Sequence, residues 1–342
     1  MVKYELSPFA LNWRTNFVLF FLFGMICFSL GYATLTRWSP GFDIGNDSVM
    51  YYRMAEGNPE VAPPFRFRIL TPSLVKAVMP LMAKVPHGSW NVTSMSFLAV
   101  NTFFLSLAGF CLMHITFLLL GDRIIALMSA ILFITSFTAV NQYLAGMVDA
   151  AESFFLASIV LCSLRGWWMM VPLLLGLGAL GKDTTLLQGT TWLGCYSLHT
   201  CLRLKRFDCR SMLSTFVSIM FGVGVLLATR AVVGGATYPL HRLSMDQFFC
   251  IPTKMVSGVF SRDNVYAFLL LLPLGLPRLK HIPSPYLPIS LIMGAVALLA
   301  GSYSQIGSTN FSRPLFNAIG PLLSMSTALF LSELLKPRQK NH

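Results

Sequence analysis

The 342 residues are 55% hydrophobic and only 11% charged, with a mean hydropathy of +0.67 and a formal net charge of +12. Soluble domains carry roughly 25% charged residues, so this chain lacks the polar surface to coat a globule in water, which excludes the soluble classes. In a soluble chain the positive charge would suggest nucleic acid, but here the basic residues fall in short clusters between apolar runs. The positive-inside rule accounts for them with no nucleic-acid partner.

From the amino terminus, Lys3 and Arg14 precede an apolar run too long for a signal-peptide core, and no small-residue cleavage site closes it. It reads as an uncleaved first span. Runs near the length needed to cross a hydrocarbon core of about 30 Å then recur. Ten spans are expected near 15–36, 93–120, 124–142, 152–164, 168–181, 187–202, 212–232, 264–277, 286–303 and 314–333. The fourth, fifth and eighth are short, which leaves room for one broken or re-entrant helix. The fold class is therefore an all-α polytopic membrane protein. It has one transmembrane domain over 1–342 and interfacial amphipathic helices in its outer loops.

Basic clusters set the orientation. Arg123, Arg165, "RLKRFDCR" (203–210), "RLK" (278–280) and "KPRQK" (336–340) share one side, expected to be cytoplasmic together with both termini. The connector "YLAGMVDAAES" (143–153) on the other side holds Asp149 and Glu152 and no Lys or Arg. Two long outer loops, 37–92 and 233–263, are expected to cap an active site. In the first, "TPSLVKAVMPLMAKV" spaces Leu74, Val78, Leu81 and Met82 as one stripe of an interfacial helix. In the second, "SMDQFFCIPTKMVSGVF" has a similar mix interrupted by Pro252. Each is either a lid over the bundle or a guide for substrate. The seven cysteines form no CxxC pair and no disulfide framework, and read as packing.

Several charged residues have two readings each. In "GNDSVMYYRMAEG" (45–57), Asn46 or Asp47 either caps a helix over 48–56 or leaves Asp47 as a working carboxylate, and Gly57 stops the helix. Tyr51 and Tyr52 are interfacial aromatics or part of a site. Arg66 and Arg68 in "PFRFRILTP" (64–72) either anchor to headgroups or bind a phosphate. Lys182 and Asp183 are either a self-paired interfacial couple or site residues. Arg313 caps the end of the ninth span, pairs with a loop acid, or meets a ligand. Asp149 and Glu152 are helix-start acids favoured by the dipole, or an acidic pole for an acceptor or metal. The six histidines show no ligand spacing, so zinc and haem are not expected. "GLGALG" (176–181) lies inside an apolar run and follows no strand, so it is no nucleotide cradle.

Four of these stretches also carry a family resemblance. "DSVMYYRMAEG" resembles the first outer loop of GT-C glycosyltransferases, membrane enzymes that use lipid-phosphate-linked sugars, with Asp47 and Tyr51 on an Asp-x-x-x-Tyr pattern. "PFRFRILTP" is similar to a P-[FY]-x-x-R-x-L-x-P segment of smaller bacterial members, with Arg68 on the motif arginine. "LGALGKDTTLL" (177–187) resembles a "KE-T" turn, with Asp183 in place of Glu, and "NFSRPLFNAIGPLL" (310–323) resembles a late R-x-L…P segment, with Arg313 on the arginine. The resemblance implies inverting transfer of a sugar from a polyprenyl-phosphate donor to a glycan, lipid or protein acceptor. The expected place is the outer face of a bacterial inner (plasma) membrane.

In that reading Asp47 is the catalytic carboxylate that takes the acceptor's proton. Arg68, Lys182, Arg313 and, more weakly, Arg66 hold the donor phosphate. Tyr51, Asp149, Glu152 and Asp183 line the acceptor side or support these groups. The chemistry agrees: a base for the hydroxyl and cations for the departing phosphate are what such a transfer needs. Ser48 stands where many members carry a second acid, and one carboxylate is a poor divalent site. No cofactor is expected to be required, and a divalent metal stays open. The alternatives are a transporter or flippase of lipid-linked sugars, a polymerase or ligase of lipid-linked glycans, and a non-enzymatic scaffold. A transporter calls for ionisable groups at mid-membrane.

Overall fold

The computed structural model describes residues 12–38, 45–58, 61–85, 91–144, 146–204, 208–234, 245–304 and 312–335. Lys3, the tail "KPRQK", residues 205–207 of the basic run and parts of both long outer loops lie outside them. A backbone with no water to bond must satisfy its own polar groups, and apolar runs in a bilayer do so as helices. Among the described residues there is no strand. In chain order the helices are α1 (Trp13–Trp38), α2 (Gly45–Glu56), α3 (Leu70–Met82), α4 (Val92–Leu120), α5 (Arg123–Ile134), α6 (Asp149–Arg165) and α7 (Val171–Gly181). There follow α8 (Asp183–Leu204), α9 (Cys209–Val233), α10 (Met245–Val259), α11 (Arg262–Phe268), α12 (Leu271–Gly275), α13 (Tyr286–Ser304) and α14 (Ser312–Leu335).

Four helices are long and apolar enough to cross a membrane: Trp13–Leu35, Val92–Leu120, Cys209–Val233 and Arg313–Leu335. The segments expected to span are largely helical, and two are interrupted: 124–142, where α5 ends at Ile134 before a turn at Thr135 and Ser136, and 264–277. Residues 264–277 form α11, α12 and a 3-10 turn in series rather than a single helix. Pro273 and Pro277 each remove a backbone donor there, which prevents a continuous ladder. A π turn at Ala139–Tyr143 follows α5 and carries the chain back toward α6.

Local signals explain the helix ends. Asn91 caps α4 by accepting from Ser94 N at 2.7 Å, and Asp122 caps α5 by accepting from Ile124 N and Ile125 N at 2.8 and 3.1 Å. Helix α4 lies at the centre, packed on α1, α3, α5 and α6, while α14 packs on α5, α12 and α13. Helix α7 lies against α9, and Gly176 serves that approach, since a Cβ there would stand 2.4 Å from Phe221, while one on Gly178 would stand 2.6 Å from Thr185 of α8. Helix α2 is fixed to α4 by Tyr52, whose ring meets Phe97 edge-on at 4.8 Å, and by Thr93, which donates to Glu56 at 3.0 Å.

The two charged poles of the bundle are held apart by α14. Arg313 at its start pairs with acids of α2 and α6, and Glu333 near its end pairs with Arg278. At 1.5 Å of rise per residue these poles are about 30 Å apart, the thickness of a hydrocarbon core. No Asp, Glu, Lys or Arg lies between them on this helix.

The structure adds detail to both loop segments. Helix α3 turns Thr71, Pro72 and Val75 inward, and Leu74 and Leu81 of the expected interfacial stripe are exposed. An interfacial helix has one apolar face for protein and another for lipid, so apolar periodicity alone does not say which is which. Helix α10 runs through Pro252, packs on α13 and leaves Phe249 and Val256 outside.

The turn that opens α6 depends on Gly146, whose φ is +80° and whose added Cβ would stand 2.6 Å from the Tyr52 hydroxyl oxygen. Gly146→Ala is expected to destabilise the fold by about 1–3 kcal/mol through strain and this clash. Gly194 in α8 has nothing within 4 Å of an added Cβ, so Gly194→Ala is expected to leave stability unchanged or raise it. Thermal unfolding of the purified protein in detergent compares the two, and an equal effect would refute this role of the turn.

Candidate functional site

The ion network grows from the inside outward. Asp149 and Glu152 lie in the first turn of α6, three residues apart and therefore on one face. Lys182 joins α7 to α8 in extended backbone (φ −165°, ψ 135°), and its ammonium reaches Asp149 Oδ1 at 2.6 Å and Glu152 Oε2 at 2.7 Å. Thr184 donates to the other oxygen of Glu152. Arg313 Nη1 then meets Asp149 Oδ2 at 3.2 Å, and its Nη2 meets Asp47 Oδ2 at 2.7 Å.

Helix α2 gives the network its outer edge. Asp47 and Tyr51, four residues apart, share a face with Cβ atoms about 5–6 Å apart. Asp47 holds Arg313, and the Tyr51 hydroxyl accepts from Arg68 Nη1 at 2.5 Å. The Arg68 guanidinium lies 5.6 Å from the Phe65 ring centre, and its Nη2 is 3.5 Å from Asp183 Oδ1. One face of one short helix thus sets two arginines side by side.

The start of α14 is braced from below. Asn317 Oδ1 accepts from the Tyr143 hydroxyl at 2.5 Å and from Ser153. Gln188 donates to the Pro314 carbonyl at 2.9 Å, and Asn101 donates to the Met147 carbonyl at 3.0 Å.

Exposure divides the network into two parts. The side chains of Lys182, Asp149 and Glu152 are 5%, 0% and 0% exposed. Those of Asp47, Asp183, Arg313 and Arg68 are 31%, 29%, 20% and 14% exposed. Four carboxylates face three cations across the whole set. Burial alone would keep Asp149 protonated, but Lys182 and Arg313 outweigh it and hold its carboxyl below the usual range. Burial likewise opposes the Lys182 ammonium, yet Asp149 and Glu152 raise it above the ordinary lysine value. Burial pushes the Tyr51 phenol up, with Arg68 offsetting part of the shift.

All but one of the residues expected from sequence to form a site meet in this network. The exception is Arg66, whose guanidinium lies 5.5 Å from the Phe67 ring centre and makes no hydrogen bond or ion pair with the described residues. Arg230, in the last turn of α9, lies 5.6 Å from the same ring.

The open alternatives resolve as follows. Asp47 sits inside the first turn of α2 and pairs with Arg313, so the expected helix over 48–56 begins earlier, at Gly45, with Asp47 as an ion-pair partner and not its cap. Lys182 and Asp183 do not pair with each other but with acids and an arginine of other segments. Arg313 pairs with loop and helix-start acids. Asp149 and Glu152 are helix-start acids and the partners of Lys182 at once. Ser48 is buried.

Sequence reasoning passed over Thr184, Tyr143, Ser153 and Asn317. The signals were "NQY" (141–143), a polar triplet inside an apolar run, and Asn317 one turn after Arg313. Among the described residues no three His, Cys, Asp or Glu side chains are grouped to hold a metal. No family model matches the chain, and no curated protein or solved structure is similar to it.

The buried cluster has a pH signature. The lowered Asp149 value contributes stability that is present above the ordinary carboxylate value of about 3.9 and is lost as pH falls through the folded value. The raised Lys182 value contributes stability that is present below the ordinary lysine value of about 10.4 and is lost as pH rises through the folded value. Between those limits the contribution is flat. Lys182→Met is expected to cost about 3–5 kcal/mol at neutral pH, because buried Glu152 loses its cation and Asp149 is left with Arg313 alone. It is also expected to regain stability on acidification as they take up protons. Thermal unfolding of native and variant protein against pH tests this, and an equal loss at pH 5 and pH 7 would count against the pairing.

Proposed function

We propose that the chain is a GT-C-like glycosyltransferase that moves a sugar from a polyprenyl-phosphate donor to an acceptor hydroxyl on the extracytoplasmic face of the membrane. The observation that carries this reading is the meeting of Asp47, Arg68 and Arg313, from three distant segments, at the open end of a buried ion network. Asp47 takes the proton of the acceptor hydroxyl as its oxygen bonds to the anomeric carbon. The bond from that carbon to the phosphate breaks on the opposite side, and the lipid phosphate leaves with the electron pair. Arg68 and Arg313 stabilise the charge that grows on it. Lys182 is enclosed by Asp149 and Glu152 and acts by holding Asp149, which in turn aims Arg313.

In this reading the chain passes the membrane ten times with both termini cytoplasmic. Support comes from the charges, which collect at helix ends. Lys182 lies at the joint of α7 and α8, and Arg230 lies in the last turn of α9. In the transferase both sit at the depth of the outer face, whereas a transporter would hold them at the membrane midplane, where helices are discontinuous. A polymerase of lipid-linked glycans shares the same chemistry with a longer donor.

The test is transfer by the purified protein in lipid nanodiscs from a panel of polyprenyl-phosphate sugars, with products identified by mass spectrometry. Asp47→Asn is expected to lower the rate by about 100-fold or more in a protein that remains folded, and Arg68→Gln by about 10–100-fold. Full activity in Asp47→Asn would remove Asp47 from the mechanism. Movement of lipid-linked sugar across the bilayer without transfer would select the transporter.

A further inference from the structure

We infer that a cavity inside the bundle, one helical turn below the ion network, is a binding site for water that ties α8 to α14. The inference concerns the interior and stands whatever the outer face catalyses. The cavity measures about 30 Å³ and lies among α4, α5, α6, α8, α13 and α14. Phe133 and Met293 are part of its apolar wall, and Trp192 and Asn317 bring polar atoms to it.

Those polar atoms are left without partners from the protein. Trp192 and Asn317 are 1% and 5% exposed, and the Trp192 Nε1 and Asn317 Nδ2 are buried with no hydrogen bond. Pro321 adds a third group. It stands inside α14 and lines the cavity, and it has no N–H to offer the Asn317 carbonyl four residues earlier. Turning the Asn317 amide over does not help. The hydroxyls of Tyr143 and Ser153 that hold its Oδ1 accept as well as donate, so one amide atom is left over either way.

Size and chemistry select the occupant. One water needs about 10–15 Å³ of such space and two to four polar partners, so the cavity takes about two waters. An apolar cavity that admits even benzene is about 150 Å³, which excludes a hydrocarbon chain. Water accepts from the two N–H groups and donates to the carbonyl, which neither an apolar guest nor a bare cation does.

The position gives the water a role. Asn317 is four residues, about 6 Å, along α14 from Arg313. Gln188 and Trp192 are four residues apart on one face of α8. Gln188 holds α14 directly, through the Pro314 carbonyl at 2.9 Å, and Trp192 holds it through water one turn deeper. The start of α14, and with it Arg313, is thereby supported by a solvent molecule within the apolar interior.

The test reads water directly. A brief X-ray pulse makes hydroxyl radicals wherever water is held, so side chains beside bound water are oxidised even in an interior. Full-length protein in nanodiscs is irradiated, and its methionines are followed by mass spectrometry. Met293 lines the cavity and is 3% exposed, while Met113 and Met325 are 1% and 0% exposed and lie elsewhere in the core. Met293 is expected to be oxidised several-fold faster than either. Ala318→Val adds two carbons to the cavity wall and is expected to bring Met293 down to their rate. Ala157→Val fills the space from α6 and serves if Ala318→Val does not fold.

Equal oxidation of the three methionines in the native protein would overturn the site. So would fast oxidation of Met293 that persists in a folded, filled variant. The unfolding temperature gives a separate reading: filling a hydrated cavity strands two N–H groups and is expected to lower it, whereas a filled variant more stable than the native protein would mark the cavity as dry and refute the inference.

Discussion

The Lys182 ammonium, buried between Asp149 and Glu152, is the constraint from which the outer end of the bundle follows. One cation with two carboxylates leaves a surplus negative charge in a place where an unpaired charge is costly. Arg313 supplies the second cation through Asp149, and one of its two terminal nitrogens then remains for Asp47. The imbalance is handed outward in this way until it reaches side chains in contact with water. Four elements are tied by the sequence of contacts: α6, the joint of α7 and α8, α14, and α2. Helix α2 is short and buries Tyr51, Tyr52 and Ala55 in the core. The ion pair at Asp47 adds a polar anchor at its first turn.

Below this end the interior solves its polar problem locally. Ser106, Ser163, Ser218 and Ser302 each return their hydroxyl to the carbonyl four residues earlier on their own helix. Others bond between helices, as Thr116 does with Ser129 and Thr327 with the Leu271 carbonyl. Small polar side chains of this kind let helices approach without a net charge at depth. The charged groups are thereby free to gather at the two ends, which α14 separates by the length of its own apolar stretch.

Much of this was legible in the sequence because the bilayer simplifies the code. Long apolar runs predict helices, and charges predict helix ends, so α1, α4, α9 and α14 and the place of Asp47, Asp149, Lys182 and Arg313 at or next to helix ends follow from the residues. Partner choice was not legible. Lys182 precedes Asp183 in sequence, but extended backbone at Lys182 sends the two side chains to different partners. Nor was the inward face of α3 legible, because lipid and protein both accept apolar side chains. The brace at Asn317 was hidden for another reason. It depends on a π turn at Tyr143, and no periodicity at 3.6 residues per turn reveals where such a turn will aim a hydroxyl.

The choice of cation at each depth has a physical logic that bears on the proposed chemistry. A lysine is a compact point charge and suits the closed position, where two carboxylates approach it from one helix face. An arginine is a rigid fork, and Arg313 spends its prongs unequally: one nitrogen on buried Asp149, the other on partly exposed Asp47. The outer prong can exchange Asp47 for an oxygen of a departing phosphate while the inner prong keeps its anchor. A lysine at the same place would have to leave one partner to gain the other and would carry no fixed direction. Arg68 repeats the pattern, with Tyr51 as the buried partner and Asp183 as the exposed one. Two forks, each pinned inside and open outside, are what a site needs if it is to meet charge that appears only during the reaction.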